Sequence, residues 1–142
     1  NAALDEGFAR PGARRRADEF EILPTVNVSI DDDAEVAYGR LRPVLALYVG
    51  GMGAKEMNFH ADVFRRLGYE EAVDRIQSLF LDGKQNEAIA AVPNAMIDEI
   101  CLVGSKDKVR DDLEAWRDSR VTTMIVGGPL DTLRTMAELV LG

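Results

Sequence analysis

The chain has 142 residues, 46% apolar and 30% charged, with a net charge of -8 and one cysteine. That is room for one domain with a core of its own. The acid excess argues against nucleic acid, no apolar run approaches the ~20 residues that cross a bilayer, and one cysteine excludes a disulfide framework or a zinc cluster and suits a reducing, cytoplasmic setting.

Asn1 to Ala9 reads as the end of a helix closed by Arg10-Pro11-Gly12, as though the chain began inside a larger protein. Arg14-Arg15-Arg16 reads as a solvated loop. Phe20 to Ile30 alternates apolar and polar residues with period two, the mark of a strand, and Pro24 confines its pairing to the second half. Asp31-Asp32-Asp33 supplies a helix N-cap; consecutive aspartates would also suit a metal, but no glycine or distal glutamate completes a calcium loop. The next helix shows Ala37, Leu41, Val44, Leu45 and Tyr48 on one face, with a kink expected at Pro43 and a glycine-rich loop from Gly50. Short helices follow around Phe59–Leu67, Val73–Phe80 and Asn86–Ala91, and a helical turn after Asn94.

Ile100–Val103 is a short apolar run before Gly104 and reads as a strand buried on both faces. Ser105 caps the following helix, whose Val109, Leu113 and Trp116 face the core. Val121–Val126 is β-branched and stopped by Gly127-Gly128-Pro129. This βαβ unit predicts two neighbouring parallel strands. A last amphipathic helix carries Leu130, Leu133, Met136, Ala137 and Val140. The fold class is α/β: about three parallel strands with extra helices on one side, a pattern that suits consecutive units of a (β/α)8 barrel better than a finished domain.

Arg42–Gly53 (RPVLALYVGGMG), Asn58–Pro93 (NFHADVFRRLGYEEAVDRIQSLFLDGKQNEAIAAVP) and the close EICLVGSKDKVRDDLEAWRDSRVTTMIVGG resemble the C-terminal region of luciferase-like flavin or deazaflavin oxidoreductases. The likeness is nearest the branch that depends on the deazaflavin coenzyme F-420 (hereafter F420). It implies a TIM barrel of which residues 1–142 form the C-terminal portion as a single domain fragment. It also implies hydride transfer between F420 and a small-molecule substrate, with FMN as the alternative cofactor of a luciferase-like monooxygenase. Residues that grip the ring and do acid–base work would lie outside this sequence, leaving the catalytic residues unassigned and the chain alone inactive. Arg120 departs from the family, which often places a glycine there. A different reading is a non-catalytic α/β binding module completed by oligomerisation; a homo-oligomer is expected either way.

Barrel enzymes build sites at strand C-terminal ends. Gly104, Ser105, Gly127 and Gly128 precede helices, so their N–H groups are candidates for a phosphate or carboxylate of the cofactor; read plainly, they are ordinary strand–helix turns. Tyr48, Met52, Asn58 and His60 are candidates for a substrate pocket. His60, the sole histidine, has no clear carboxylate partner and reads more simply as a helix-start residue. Cys101, inside ICLV, reads as a buried, inert thiol. No Ser-His-Asp, Cys-His or metal-ligand set is present.

Overall fold

The computed structural model describes residues 2–53 and 57–142. Three parallel strands form one sheet: β1 (Thr25–Ile30), β2 (Cys101–Gly104) and β3 (Ile125–Gly127). Helices α1 (Ala2–Ala9) and α2 (Ala34–Gly51) flank β1. Then α3 (Phe59–Arg66), α4 (Glu70–Leu81), α5 (Gln85–Ala90) and α6 (Asn94–Asp98) lead to β2; α7 (Lys106–Arg117) joins β2 to β3, and α8 (Leu130–Leu141) closes the chain.

The alternation in β1 sorts the core. Val26, Val28 and Ile30 pack on one face with Leu102 of β2, Val109 and Leu113 of α7 and Met136 of α8. Cys101 and Val103 point the other way, into a cluster with Leu41 and Val49 of α2, Ile76 of α4 and Met96 of α6. Helices therefore cover both faces, with α2 to α6 on one side as their position between two strands predicts.

Strand order departs from expectation. It runs β2-β1-β3, so β2 and β3 are not neighbours; each pairs with β1, Asn27 aligning with both Cys101 and Gly127. The reason lies in the strands themselves. β1 is the longest, with six residues, and offers a ladder on either edge. β2 has four, and Lys108 of α7 folds so closely over its last residue that a Cβ on Gly104 would stand 2.9 Å from the lysine Cδ. β3 is also shorter than the run from Val121 implied. Thr122 and Thr123 instead donate to the Ile22 carbonyl at 3.1 and 3.4 Å, and regular pairing begins at Ile125. Its residues are exposed, half-buried and exposed, whereas all of β2 is buried.

Two further expectations change. The helix over Ala34–Gly51 continues through Pro43 as expected, but it also runs through both glycines before ending at Met52. Gly50 and Gly51 lie under the Phe80 ring, where an added Cβ would meet ring atoms at 2.7 and 2.5 Å. They are there for close helix packing rather than for a loop. Trp116 lies beside the α7 cluster but is only half-buried; its indole walls a surface cleft.

Candidate functional site

Parallel strands put three chain turns at one end of the sheet. At the first, the Asp33 side chain accepts from the Glu35 and Val36 amides at 2.9 and 3.3 Å and caps α2. The Asp31 amide donates to Gly104 O at 3.0 Å, tying the ends of β1 and β2 together, and Arg40 binds the Asp31 carboxylate at 2.7 Å. In the triplet Asp33 caps, Asp31 pairs with Arg40 and Asp32 is exposed, and no group of metal-ligating side chains forms among the described residues.

The second turn is Gly104-Ser105. Gly104 has φ +117°, a conformation open to glycine. Ser105 Oγ accepts from the Lys108 amide at 3.2 Å, so the side chain caps α7 as the sequence predicts. Lys108 spans from here to Asp98 at 2.9 Å and Asp112 at 2.7 Å, and the Tyr38 hydroxyl donates to the same Asp98 at 2.8 Å. Partial burial opposes the lysine charge, but Asp112 and Asp98 outweigh it and hold the ammonium above its ordinary range. Burial and then Asp98 likewise raise the Tyr38 phenol. This turn is closed over by its own lysine.

The third turn, Gly127-Gly128-Pro129, is open. Nothing stands within 4 Å of a Cβ position on Gly127, Gly128 has φ +145°, and Pro129 gives α8 no side-chain cap. First-turn amides of α8 lack the side-chain acceptor that Ser105 supplies to α7. The open turn is the better fit for an anionic group. The two glycine turns do not make one site. β1 lies between them, two strand spacings or about 10 Å across, and the register sets Gly127 beside Asn27 but Gly104 beside Ile30, about 10 Å along the strand.

Tyr48, Asn58 and His60 do gather, but elsewhere, while Met52 ends α2 as its exposed C-cap. α2 returns antiparallel to β1, and its eighteen residues span about 27 Å. Its C-terminal end therefore lies at the opposite end of the sheet from the glycine turns. Asn58 is a junction residue: its Nδ2 donates to Tyr48 O and Val49 O at 2.9 and 2.8 Å, while its Oδ1 accepts from the His60 and Ala61 amides at 3.0 and 3.1 Å. It ties the α2 C-terminus to the α3 N-terminus, and its hydrogen-bonding groups are engaged there. His60 stacks edge-on to Tyr48, ring centroids 4.6 Å apart, with Phe59 at 3.9 Å on its other side.

A cleft of about 320 Å³ is lined by Asp98, Glu99, Cys101, Asp112, Trp116 and Val121. It opens beside the N-terminal end of β2, away from Gly104. Cys101 is buried there, and burial, with Asp98 adding to it, pushes its thiol up to about 11. An acid this weak is not a nucleophile at neutral pH.

Sequence reading missed the Tyr38–Asp98–Lys108–Asp112 network. Lys108 and Asp112 stand one helical turn apart, a visible signal; Tyr38 and Asp98 are sixty positions apart and carry none.

Residues 2–123 match the family described as Luciferase-like monooxygenase. Over 141 residues the chain is 48% identical to a Mycobacterium tuberculosis protein named, provisionally, as a coenzyme F420-dependent oxidoreductase, covering 99% of this chain and 41% of that one. The 5,10-methylenetetrahydromethanopterin reductase of Methanopyrus kandleri is 29% identical over 128 residues, covering 89% of this chain and 34% of the relative. A solved structure of the coenzyme F420-dependent tetrahydromethanopterin reductase from that organism superposes with a TM-score of 0.67 at 29% identity, covering 90% of this chain and 35% of that chain. The chain thus spans about two-fifths of the mycobacterial relative, and its parallel strands and helices are an α/β portion of a TIM-barrel fold. On a match that runs through most of its length, the chain belongs to the luciferase-like monooxygenase family.

Proposed function

We propose that this chain is the C-terminal part of an F420-dependent oxidoreductase that moves a hydride between the deazaflavin and a small-molecule substrate. The observation that carries the reading is the 48% identity, sustained over 141 residues, to a relative named for F420. One further relative, the Methanopyrus kandleri reductase whose solved structure is described as coenzyme F420 dependent, stands behind it and favours the deazaflavin over FMN. F420 supplies the hydride acceptor and donor when bound. The contribution of these residues is structural: they build part of the barrel wall and present strand-end turns to the cofactor side.

Among those turns Gly127-Gly128 fits an anionic part of the cofactor, because Gly127 leaves space and the α8 amides lack a side-chain cap. Gly104 and Ser105 hold the shape of the barrel edge. Tyr48 and His60 gather instead around the Asn58 junction between α2 and α3. The described residues also include no helix long and apolar enough to cross a membrane. The test is a fluorescence titration of the chain, expressed with the remainder of its barrel, against F420 and separately against FMN. Saturable binding of F420 with none of FMN supports the reading. FMN binding without F420 binding overturns it.

A further inference from the structure

A closed (β/α)8 barrel sets each strand beside the next one in sequence and keeps every helix outside. This chain has the same units and winds them differently. Its sheet runs β2-β1-β3, so the connection through α7 passes over β1. Helices α2–α6 pack on the side of Cys101 and Val103, whereas α7 and α8 pack on the side of Leu102. The two departures are one. Parallel crossovers are right-handed, so a connection that reverses its direction along the sheet must change face. From β1 to β2 the chain runs one way and from β2 to β3 it runs back, which carries α7 across. The result is a small doubly wound sheet.

Of the two ladders on β1, that of β3 is the slighter. Three residues pair, from Thr25 with Ile125 to Asn27 with Gly127, and Ile125 is 47% exposed. Residues 121–124, which carry the same β-branched pattern, stay outside the ladder, with Thr122 and Thr123 held at the Ile22 carbonyl. All of β2 is buried and pairs with β1 along one edge, while its second edge meets no strand among the described residues. Val121 lies close by: with Cys101 and Trp116 it lines the cleft of about 320 Å³ beside the start of β2. The run that becomes β3 therefore starts within one cleft of β2 before it crosses to β1.

We infer that the chain has two pairings for one sequence. Alone, it seals the outer edge of β1 with β3. Inside a completed barrel, β3 moves to the second edge of β2, and α7 and α8 pass to the face held by α2. A closed barrel leaves no free edge, and a strand from the remainder of the barrel takes the edge that β3 occupies in the chain alone. The moving unit has a joint at either end of α7: Gly104, with φ +117°, before it, and residues 118–124, outside regular structure, after it. The exchange gives up a three-residue ladder and satisfies the buried second edge of β2, whose backbone groups need partners. The inference rests on the barrel reading of the chain and not on the choice of cofactor.

Thr25→Cys combined with Ile125→Cys puts a thiol on each of two exposed register partners, about 4.8 Å apart at Cα and within disulfide reach. In the 142-residue chain mild oxidation should consume both added thiols in an internal bridge; native Cys101 is buried and silent. In the chain joined to the rest of its barrel β2 lies between the two strands, about 10 Å separate the pair, and both added thiols should survive the same oxidant. Hydrogen exchange gives a second reading: amides on the second edge of β2 should exchange more slowly in the joined form than in the chain alone. A bridge that forms in both, or in neither, overturns the inference, as does an edge of β2 that gains no protection on joining. F420 binding by the joined form is read separately, so failure of the cofactor reading leaves these outcomes intact.

Discussion

The two sides of the sheet are built to different standards. Toward α2–α6, helix after helix closes over Cys101 and Val103, and Ile76, Met96 and Ile97 have no exposed surface. Toward α7 and α8 the cover thins. Trp116 is half-buried, Leu130 and Leu141 of α8 are exposed, and β3 holds three residues with two of them open. The difference separates a part of the chain that completes its own core from a part whose apolar surface exceeds what the chain can cover.

The comparison breaks most readily by deletion mutagenesis. Ile76→Ala, in the closed cluster, is expected to cost about 2–5 kcal/mol in urea unfolding, whereas Leu133→Ala on α8 should cost under about 1 kcal/mol. Equal costs would mean that the two sides are packed alike. Next in size is Asn58→Ala, which removes an N-cap and strips two carbonyls of their donor, with about 2 kcal/mol expected. Asn58→Asp retains the cap of α3 but not the donors to Tyr48 and Val49, so its loss of stability measures the second half of that junction. Hydrogen exchange in α3 should rise in both.

Lys108 crosses between the zones, so its effect should be intermediate. Its side chain is 38% exposed, and solvent screening limits Lys108→Met to about 1 kcal/mol. The sign with pH follows from the raised pKa. A lysine held charged contributes fully below its unfolded value of about 10.4 and loses that contribution as pH rises through its folded value. Cys101 acts in the same direction, its thiol raised from 9.0 to about 11; the protonated form is favoured in the fold, so stability drains as the unfolded thiol ionises. Unfolding midpoints taken from neutral to alkaline pH should therefore fall above about pH 9, and Lys108→Met should flatten part of that slope. The smallest effect belongs to Ser29, a buried hydroxyl without a partner among the described residues. Removing an unsatisfied group is close to neutral, so Ser29→Ala should fall within about 0.5 kcal/mol of the parent; a larger loss would reveal a partner for that hydroxyl.

Local chemistry was readable in the sequence. Period-two alternation located β1, Ser105 and Asp33 were visible as caps, and the ICLV run held a strand buried on both faces, which starts at Cys101 and leaves Ile100 exposed. Pairing was not readable: the β-branched run after Val121 has the same local pattern whichever edge it joins, and the edge is a tertiary fact. Gly50-Gly51 looked like a loop because glycine marks both a turn and a close approach, and only Phe80, thirty positions away, decides between them. The tie that Asn58 makes between Tyr48 and His60 was not legible either. Nothing local announced that α2 runs the full depth of the sheet before Asn58 ties it to α3.

On the proposed function this chain is one wall of an F420 enzyme. The most direct measurement compares F420 oxidation and reduction by the 142-residue chain alone with that of the same chain joined to the rest of its barrel, across a panel of small-molecule substrates. The account predicts no turnover by the chain alone and F420-linked turnover by the joined form. Turnover by the isolated chain would contradict it.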